Sequence, residues 1–314
     1  MQEIDDNNSS LLKIGVIGVG SMGENHARIL SELQDVQFVG VVDIDISRAR
    51  DIASRYNCKA FKDYSEIIDM VDAAVISTPT TVHFQIAKDF LRNGKDVLIE
   101  KPITSTAEEA DELISEAEKR GKIIQVGHLE RFNTGVSLIS RMITTPRFIE
   151  SRRLSPFPGR GIDVDVTLDL MIHDIDIILT LIKSKLSDLR ATGSRVLTDN
   201  IDIAYAWLEF ENDCTAEVVA SRIANEKVRE LKVFQHDVCL NLNYQTQEVR
   251  SYKKINGRVI NEVQRLEGKE PLLEQLSSFV QCIQSRKQPV VSGAEGKEAL
   301  QVALKISEMI KNGG

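Results

Sequence analysis

The chain has 314 residues, of which 42% are hydrophobic and 27% charged, with a net charge of −8. It exceeds the length of one average core, so two domains are expected. The acidic balance argues against nucleic acid or anionic membrane as a partner, and leaves room for a local basic pocket that takes an anionic small molecule.

The opening MQEIDDNNSS is polar and acidic, unlike a signal peptide, and residues 1–10 are expected to be a disordered tail. No stretch reaches the ~20 apolar residues of a transmembrane helix. Cys58, Cys214, Cys239 and Cys282 lie far apart with no CxxC pair, which reads as free thiols in a reducing compartment. The expected setting is cytoplasmic.

From Leu11 onward, short apolar runs (KIGVIGVG, VQFVGVVD, AAVIST, DVLIE, IIQVG) alternate with helical stretches such as SMGENHARILSEL and TVHFQIAKDFLRNG. A third helix opens on Thr106 with Glu109 three residues later, a capping box, and stops at Gly121. Strands apolar on both faces, separated by helices, predict a parallel sheet covered on both sides. The first strand runs into GVGSMG, which spells Gly18-x-Gly20-x-x-Gly23. Following a strand and opening a helix, these glycines fit a dinucleotide turn of the Rossmann type. Gly18 permits the tight turn, Gly20 lets backbone approach a pyrophosphate, and Gly23 lets helix and strand pack closely. Ser21 and Met22 begin the helix, whose N-terminal amides suit phosphate.

The second strand ends at Asp43, where a carboxylate can hold the adenosine ribose and repel a 2′-phosphate. This favours NAD over NADP, although Arg48 is close enough in sequence to reach such a phosphate. Thr78 and Pro79 end the strand AAVI, at the edge where open α/β sheets bind ligands. His83, on the next helix, reads equally as a cofactor contact or a packed structural histidine. DVLIEKP brings Glu100 and Lys101 to the same edge, with Lys101 directed towards the nicotinamide end. The expected domain covers 11–127.

Beyond it lie GHLERFN and SRRLSPFPGRGIDVD, which contribute His128, Arg131, Arg152, Arg153 and Arg160. Such arginines can clamp a diphosphate bidentately, or simply form a solvated basic loop. Then comes DVTLDLMIHDIDIILTLI. At ~100° per residue, Asp165, Asp169, His173 and Asp176 share a polar stripe about 80° wide on an otherwise apolar helix. Asp169 and His173 are neighbours at i and i+4. The stripe reads as the wall of a wet cleft, with a metal site or a purely structural polar edge as alternatives. Asp174 falls on the apolar side and is expected to be paired or capping rather than catalytic. Strand-like runs follow (DIAYAWLEF, TAEVVAS, RELKVFQ, VCLNLNY), and two helices near 271–286 and 294–311 close the chain. The expectation for 128–314 is an α+β domain with an open, largely antiparallel sheet, so the whole chain is of the α/β class.

GVGSMG, Asp43, TPTTVH, EKP and DLMIHDID occur here in the order and spacing of the Gfo/Idh/MocA oxidoreductases, which the chain resembles beyond its first ten residues. The resemblance implies hydride transfer between NAD and a carbinol on a sugar, inositol or nucleotide sugar. It implies a catalytic trio of Lys101, Asp169 and His173 and a homodimer or homotetramer; no metal is expected, since no further ligand motif accompanies the stripe. Chemically, histidine near its unperturbed pKa of about 6.5 can take a hydroxyl proton, and a lysine ammonium can stabilise the alkoxide. GHLERFN and DVDVTLDLMIHDID look most like the branch of the family that oxidises UDP-sugars, with His128, Arg131, Arg153 and Arg160 as substrate contacts. A dehydrogenase of free polyols, a reductase of the biliverdin type and a non-catalytic NAD sensor share the same fold.

Overall fold

The computed structural model describes residues 11–157 and 164–313, and the chain divides into two compact units. The expected tail at 1–10 and the expected substrate contact Arg160 lie outside the described residues.

In the first unit six parallel strands are ordered β3-β2-β1-β4-β5-β6. They are β1 (Leu12–Ile17), β2 (Val36–Val42), β3 (Lys59–Phe61), β4 (Ala73–Ile76), β5 (Asp96–Glu100) and β6 (Ile124–Gly127). The order reverses beside β1, so strand ends on either side of it diverge and open a crevice. β4 and β5 are buried along their whole length, as expected for strands covered on both faces. Their crossovers are α1 (Ser21–Glu32), α2 (Ile46–Arg55), α3 (Thr80–Arg92) and α4 (Ala107–Arg120). The sequence-read capping box on α4 is present, with Thr106 and Glu109 bonded reciprocally and Gly121 left-handed at the C-cap.

One part of the expected division differs. Residues 272–293, read from sequence as part of the second domain, belong to the first unit. They hold most of α7 (Pro271–Ser285). The amide of Val126 donates to the carbonyl of Val291, and Arg286 clasps both oxygens of buried Asp96 at 2.9 Å. Such a chain return leaves no local mark in the sequence, because an apolar helix face fits either core equally well.

The second unit is an eight-stranded sheet, ordered β14-β13-β12-β11-β7-β10-β9-β8. Its strands are β7 (Pro146–Leu154), β8 (Leu186–Ser194), β9 (Ile203–Phe210), β10 (Thr215–Ser221), β11 (Val228–Gln235), β12 (Val238–Asn243), β13 (Glu248–Ile255) and β14 (Arg258–Arg265). Among the described strands only β7 and β10 run parallel; the other neighbours are antiparallel. Alternation along β9 buries Ala204, Ala206 and Leu208 and exposes Tyr205 and Trp207. The buried face packs on α5 (Thr134–Met142), α6 (Ile172–Ile182) and α8 (Gly293–Asn312), which share one core with it. Among the described residues no helix is long and apolar enough to cross a membrane.

Candidate active site

In the first unit the glycines read from sequence form a cradle at the end of β1. Gly18 has φ +85°, and a Cβ there would lie 2.8 Å from the carbonyl oxygen of Ser77. A Cβ on Gly23 would lie 1.9 Å from the oxygen of Gly18, so only glycine lets α1 start this close to the strand. Gly20, by contrast, has no other protein atom within 4 Å of a Cβ position. It is the N-cap of α1 and offers no side-chain cap, so the first amides of the helix, including those of Ser21 and Met22, remain suited to an anion.

Asp43 closes one side of the cradle. It is 8% exposed; its Oδ2 accepts from the amide of Val19 at 3.0 Å and its Oδ1 from that of Asp45 at 2.9 Å. Arg48 stands 3.8 Å from Oδ2. Gly18, Gly20, Asp43, Thr78 and Pro79 line one cavity of about 680 Å³, together with Arg48. The Oγ1 of Thr78 is buried there without a hydrogen-bond partner among the described residues.

His83 and Glu100 do not join that wall. His83 is 1% exposed, and its ring nitrogens lie 2.9 Å from the carbonyl of Pro102 and 2.8 Å from that of Thr78. Burial lowers its pKa against the opposing effect of those carbonyls. It ties two strand-end loops together, the structural role that the sequence left open beside cofactor contact. Glu100 is likewise buried; it takes a 2.8 Å hydrogen bond from Nε2 of His26 on α1 and a 3.3 Å bond from the amide of Lys101. Burial works to raise its pKa, but His26 and Lys101 bring it below the ordinary value. Gly127 makes the room, since a Cβ there would meet the carboxylate at 2.9 Å. Glu100 thus joins the glycine-turn helix to the strand end that carries Lys101. Sequence reasoning missed His26; the available signal was a histidine three residues beyond Gly23 on the buried side of α1.

In the second unit the polar stripe resolves into separate groups. Residues Thr167–Met171 form a π turn before α6 begins at Ile172, so the regular 100° projection fails just where Asp169 sits. Asp165 lies ahead of the helix, 4% exposed, bonded to Lys311 at 2.6 Å and to the amide of Ile201 at 3.0 Å. Asp176 is 2% exposed and faces Arg131 at 3.2 Å. Burial pushes its carboxyl up to about 7, against the Arg131 charge. Asp174 is paired, as the sequence suggested. Asp169 and His173 are the members of the series that keep partial exposure.

Of the expected substrate contacts, Arg153, Arg131 and His128 lie among the described residues. Arg153 is 3% exposed, and its fork is engaged: Nε and Nη2 donate to Asp174 at 2.7 and 3.1 Å, and Nη1 donates to Glu130 at 3.0 Å. Burial alone would lower its pKa, but Asp174 and Glu130 reverse that and raise it. Strand alternation directs residue 153 to the helix-covered face, where it braces α6 through Asp174. Arg131 spans Asp176 and Glu295 of α8, the latter at 2.8 Å. His128 is 1% exposed, 4.0 Å from Asp176 and edge-on to the His173 ring at 6.4 Å between centroids. Both back the helix that carries His173. Among the described residues no group of three metal-ligating side chains is gathered.

Comparison with known proteins agrees with this geometry. Residues 12–128 match a family model described as "Oxidoreductase family, NAD-binding Rossmann fold", and residues 144–236 match the Gfo/Idh/MocA C-terminal domain. The chain is 33% identical over 302 residues to the UDP-N-acetylglucosamine 3-dehydrogenase of Acidithiobacillus ferrooxidans, covering 94% of this chain and 96% of that one. A solved structure of that enzyme superposes with a TM-score of 0.92 at 32% identity, covering 96% of this chain and 98% of the other. The myo-inositol 2-dehydrogenase of Thermotoga maritima is 26% identical over 312 residues, covering 92% and 93%. NAD fits what the first unit offers: an open Gly20 backbone, a carboxylate positioned by the Val19 amide, and an unsatisfied Thr78 hydroxyl in one cavity. The chain belongs to the Gfo/Idh/MocA family of oxidoreductases, with an NAD-binding Rossmann domain, and acts on CH–OH groups.

Proposed function

We propose that this enzyme oxidises the 3-hydroxyl of UDP-N-acetylglucosamine to a ketone, for conversion to an amine by an aminotransferase in the making of lipid A. The observation that carries this reading is the 33% identity across nearly the full chain to an enzyme named for that reaction. When bound, NAD supplies the hydride acceptor. His173 takes the hydroxyl proton on an imidazole nitrogen, and Asp169 orients that ring. The Lys101 ammonium steadies the negative charge that grows on the oxygen. Gly18, Gly20, Ser21, Met22 and Gly23 receive the pyrophosphate on their backbone, Asp43 the ribose, and Thr78 and Pro79 the wall beyond it.

Purified enzyme with NAD, UDP-N-acetylglucosamine and a coupled aminotransferase is expected to accumulate reduced cofactor, and to give none with free glucose. Lys101→Met and His173→Asn are each expected to lower turnover by roughly 10²- to 10⁴-fold with NAD affinity unchanged. Loss of NAD binding in step with turnover would return both residues to the scaffold. The likeness to myo-inositol 2-dehydrogenase favours a second reading, oxidation of a free inositol. Reduction of NAD by inositol in the absence of any UDP-sugar turnover would establish it instead.

A further inference from the structure

With Arg153 committed to Asp174 and Glu130, the anionic part of a nucleotide sugar needs another cation. Arg229 opens β11 opposite Arg153 of β7. Directly opposed residues of antiparallel strands project from the same face. That face is the helix-covered one, since Leu231 and Val233, the next residues of the same alternation, lie in the core. On the other side of Arg229 the row continues into Tyr244, whose amide donates to the Arg229 carbonyl and whose ring lies 5.4 Å from the Arg153 guanidinium. Arg229 is half-buried, and among the described residues its guanidinium makes neither a hydrogen bond nor an ion pair.

A partly desolvated cation in that condition is costly unless something completes it. Burial, and then the charge of Arg153, draw the Arg229 pKa below its ordinary value; Glu130, Asp174 and Asp169 act in the opposite sense. Asp169 is thus one of the charges this guanidinium feels, and Asp169 is a residue assigned to the chemistry. A planar fork with uncommitted donors matches the geometry of phosphoryl oxygens.

We propose that Arg229, not Arg153, is the residue that recognises the phosphoryl groups of the substrate, a nucleoside diphosphate sugar, through its guanidinium fork. This rests on the nucleotide-sugar reading given above. The sequence hid it because an arginine in the strand RELKVFQ looks like any solvated strand residue until β7 is set beside it.

The test is calorimetric binding of uridine diphosphate to the NAD-loaded full chain, for the wild type, Arg229→Gln, Arg229→Lys and Arg152→Gln. Arg152 neighbours Arg153 but is about half exposed and paired with Glu150, so its variant controls for loss of one positive charge. Arg229→Gln is expected to weaken uridine diphosphate roughly 10- to 100-fold. Arg229→Lys should keep the charge and the wild-type melting temperature yet lose several-fold in affinity, because the fork is gone. Arg152→Gln and NAD affinity should stay at wild-type values. If the wild type binds uridine diphosphate and both Arg229 variants bind it equally well, the assignment of Arg229 is overturned while the substrate reading stands. If the wild type has no affinity for uridine diphosphate and oxidises inositol, the substrate reading falls and takes this proposal with it.

Discussion

Gly20 and Gly23 stand three residues apart and respond differently to one added methyl group. At Gly23 the methyl would press against the Gly18 carbonyl at 1.9 Å, so α1 must move away from β1. At Gly20 it would meet no protein atom within 4 Å and would project from the helix N-terminus, where the pyrophosphate is expected. Gly23→Ala should therefore lose both stability and NAD affinity. Gly20→Ala should keep its melting temperature within about 2 °C of wild type and lose NAD affinity roughly tenfold or more, a difference of at least ~1.4 kcal/mol. Thermal melts beside NAD titrations of the two variants check this; equal NAD affinity in Gly20→Ala and wild type would remove Gly20 from the cofactor site. The glycine turn was legible in the sequence because its spacing encodes backbone geometry, which neighbours in the chain determine. His83 and Glu100 were not, since their partners (Pro102, Thr78 and His26) are set by folding, and a polar residue at a strand end looks alike whether it faces ligand or carbonyl.

α6 is the element where periodicity carried the reading furthest and then failed. The apolar circumference was legible: Ile172, Ile175, Ile178 and Leu181 all enter the core. The polar edge was misjudged as one continuous cleft wall, because a π turn at Thr167–Met171 resets the angle between Asp165 and the residues after it. Long-range partners then withdrew Asp165 into an ion pair with Lys311 and Asp176 into a part-buried hydrogen bond with Arg131. Asp176 has a measurable consequence for stability. Burial raises its folded pKa to about 7, from an ordinary 3.8. Between those values the folded state keeps a proton that the unfolded chain has released, so stability falls as pH rises through about 7. The charged and titratable groups that face the Asp176 carboxyl are Arg131, which donates to it, Glu295 on α8, His128 and Tyr244; Thr180 donates only to the Asp176 backbone carbonyl. Denaturant midpoints measured at about pH 5 and about pH 8 should show the wild type losing stability over this range. Asp176→Asn, which cannot ionise, should lose less. Identical pH slopes for the two proteins would mean that Arg131 keeps Asp176 ionised throughout.

At the scale of the whole molecule the class of each sheet, parallel in the first unit and largely antiparallel in the second, follows from simple pattern rules, but which strand face stays open to solvent is a matter of what the chain assembles with. The face of the second sheet away from α5, α6 and α8 carries Phe148 in ring contact with Trp207 and Phe234, each pair 5.8 Å apart between centroids. Tyr205 and Tyr252 are 45% and 39% exposed. β14, at the sheet edge, is exposed at all eight residues, Val259 and Val263 among them. A broad sheet face with clustered aromatics, ending in an exposed apolar edge, is an aggregation hazard unless a partner covers it. Glu150, Lys232 and Arg152 are interleaved with the aromatics on the same face, which suits a self-complementary contact in which each copy offers both signs of charge. The occupant that these features and the family resemblance support is a second copy of this chain. Light scattering on the purified protein should therefore give a dimer or tetramer mass, and Trp207→Glu, which buries a carboxylate in that contact, should shift it towards the monomer. The first unit contains neither Trp207 nor its neighbours, so NAD should still bind the variant. A wild-type protein that is monomeric at all concentrations would leave the aromatic face uncovered and end the assembly reading.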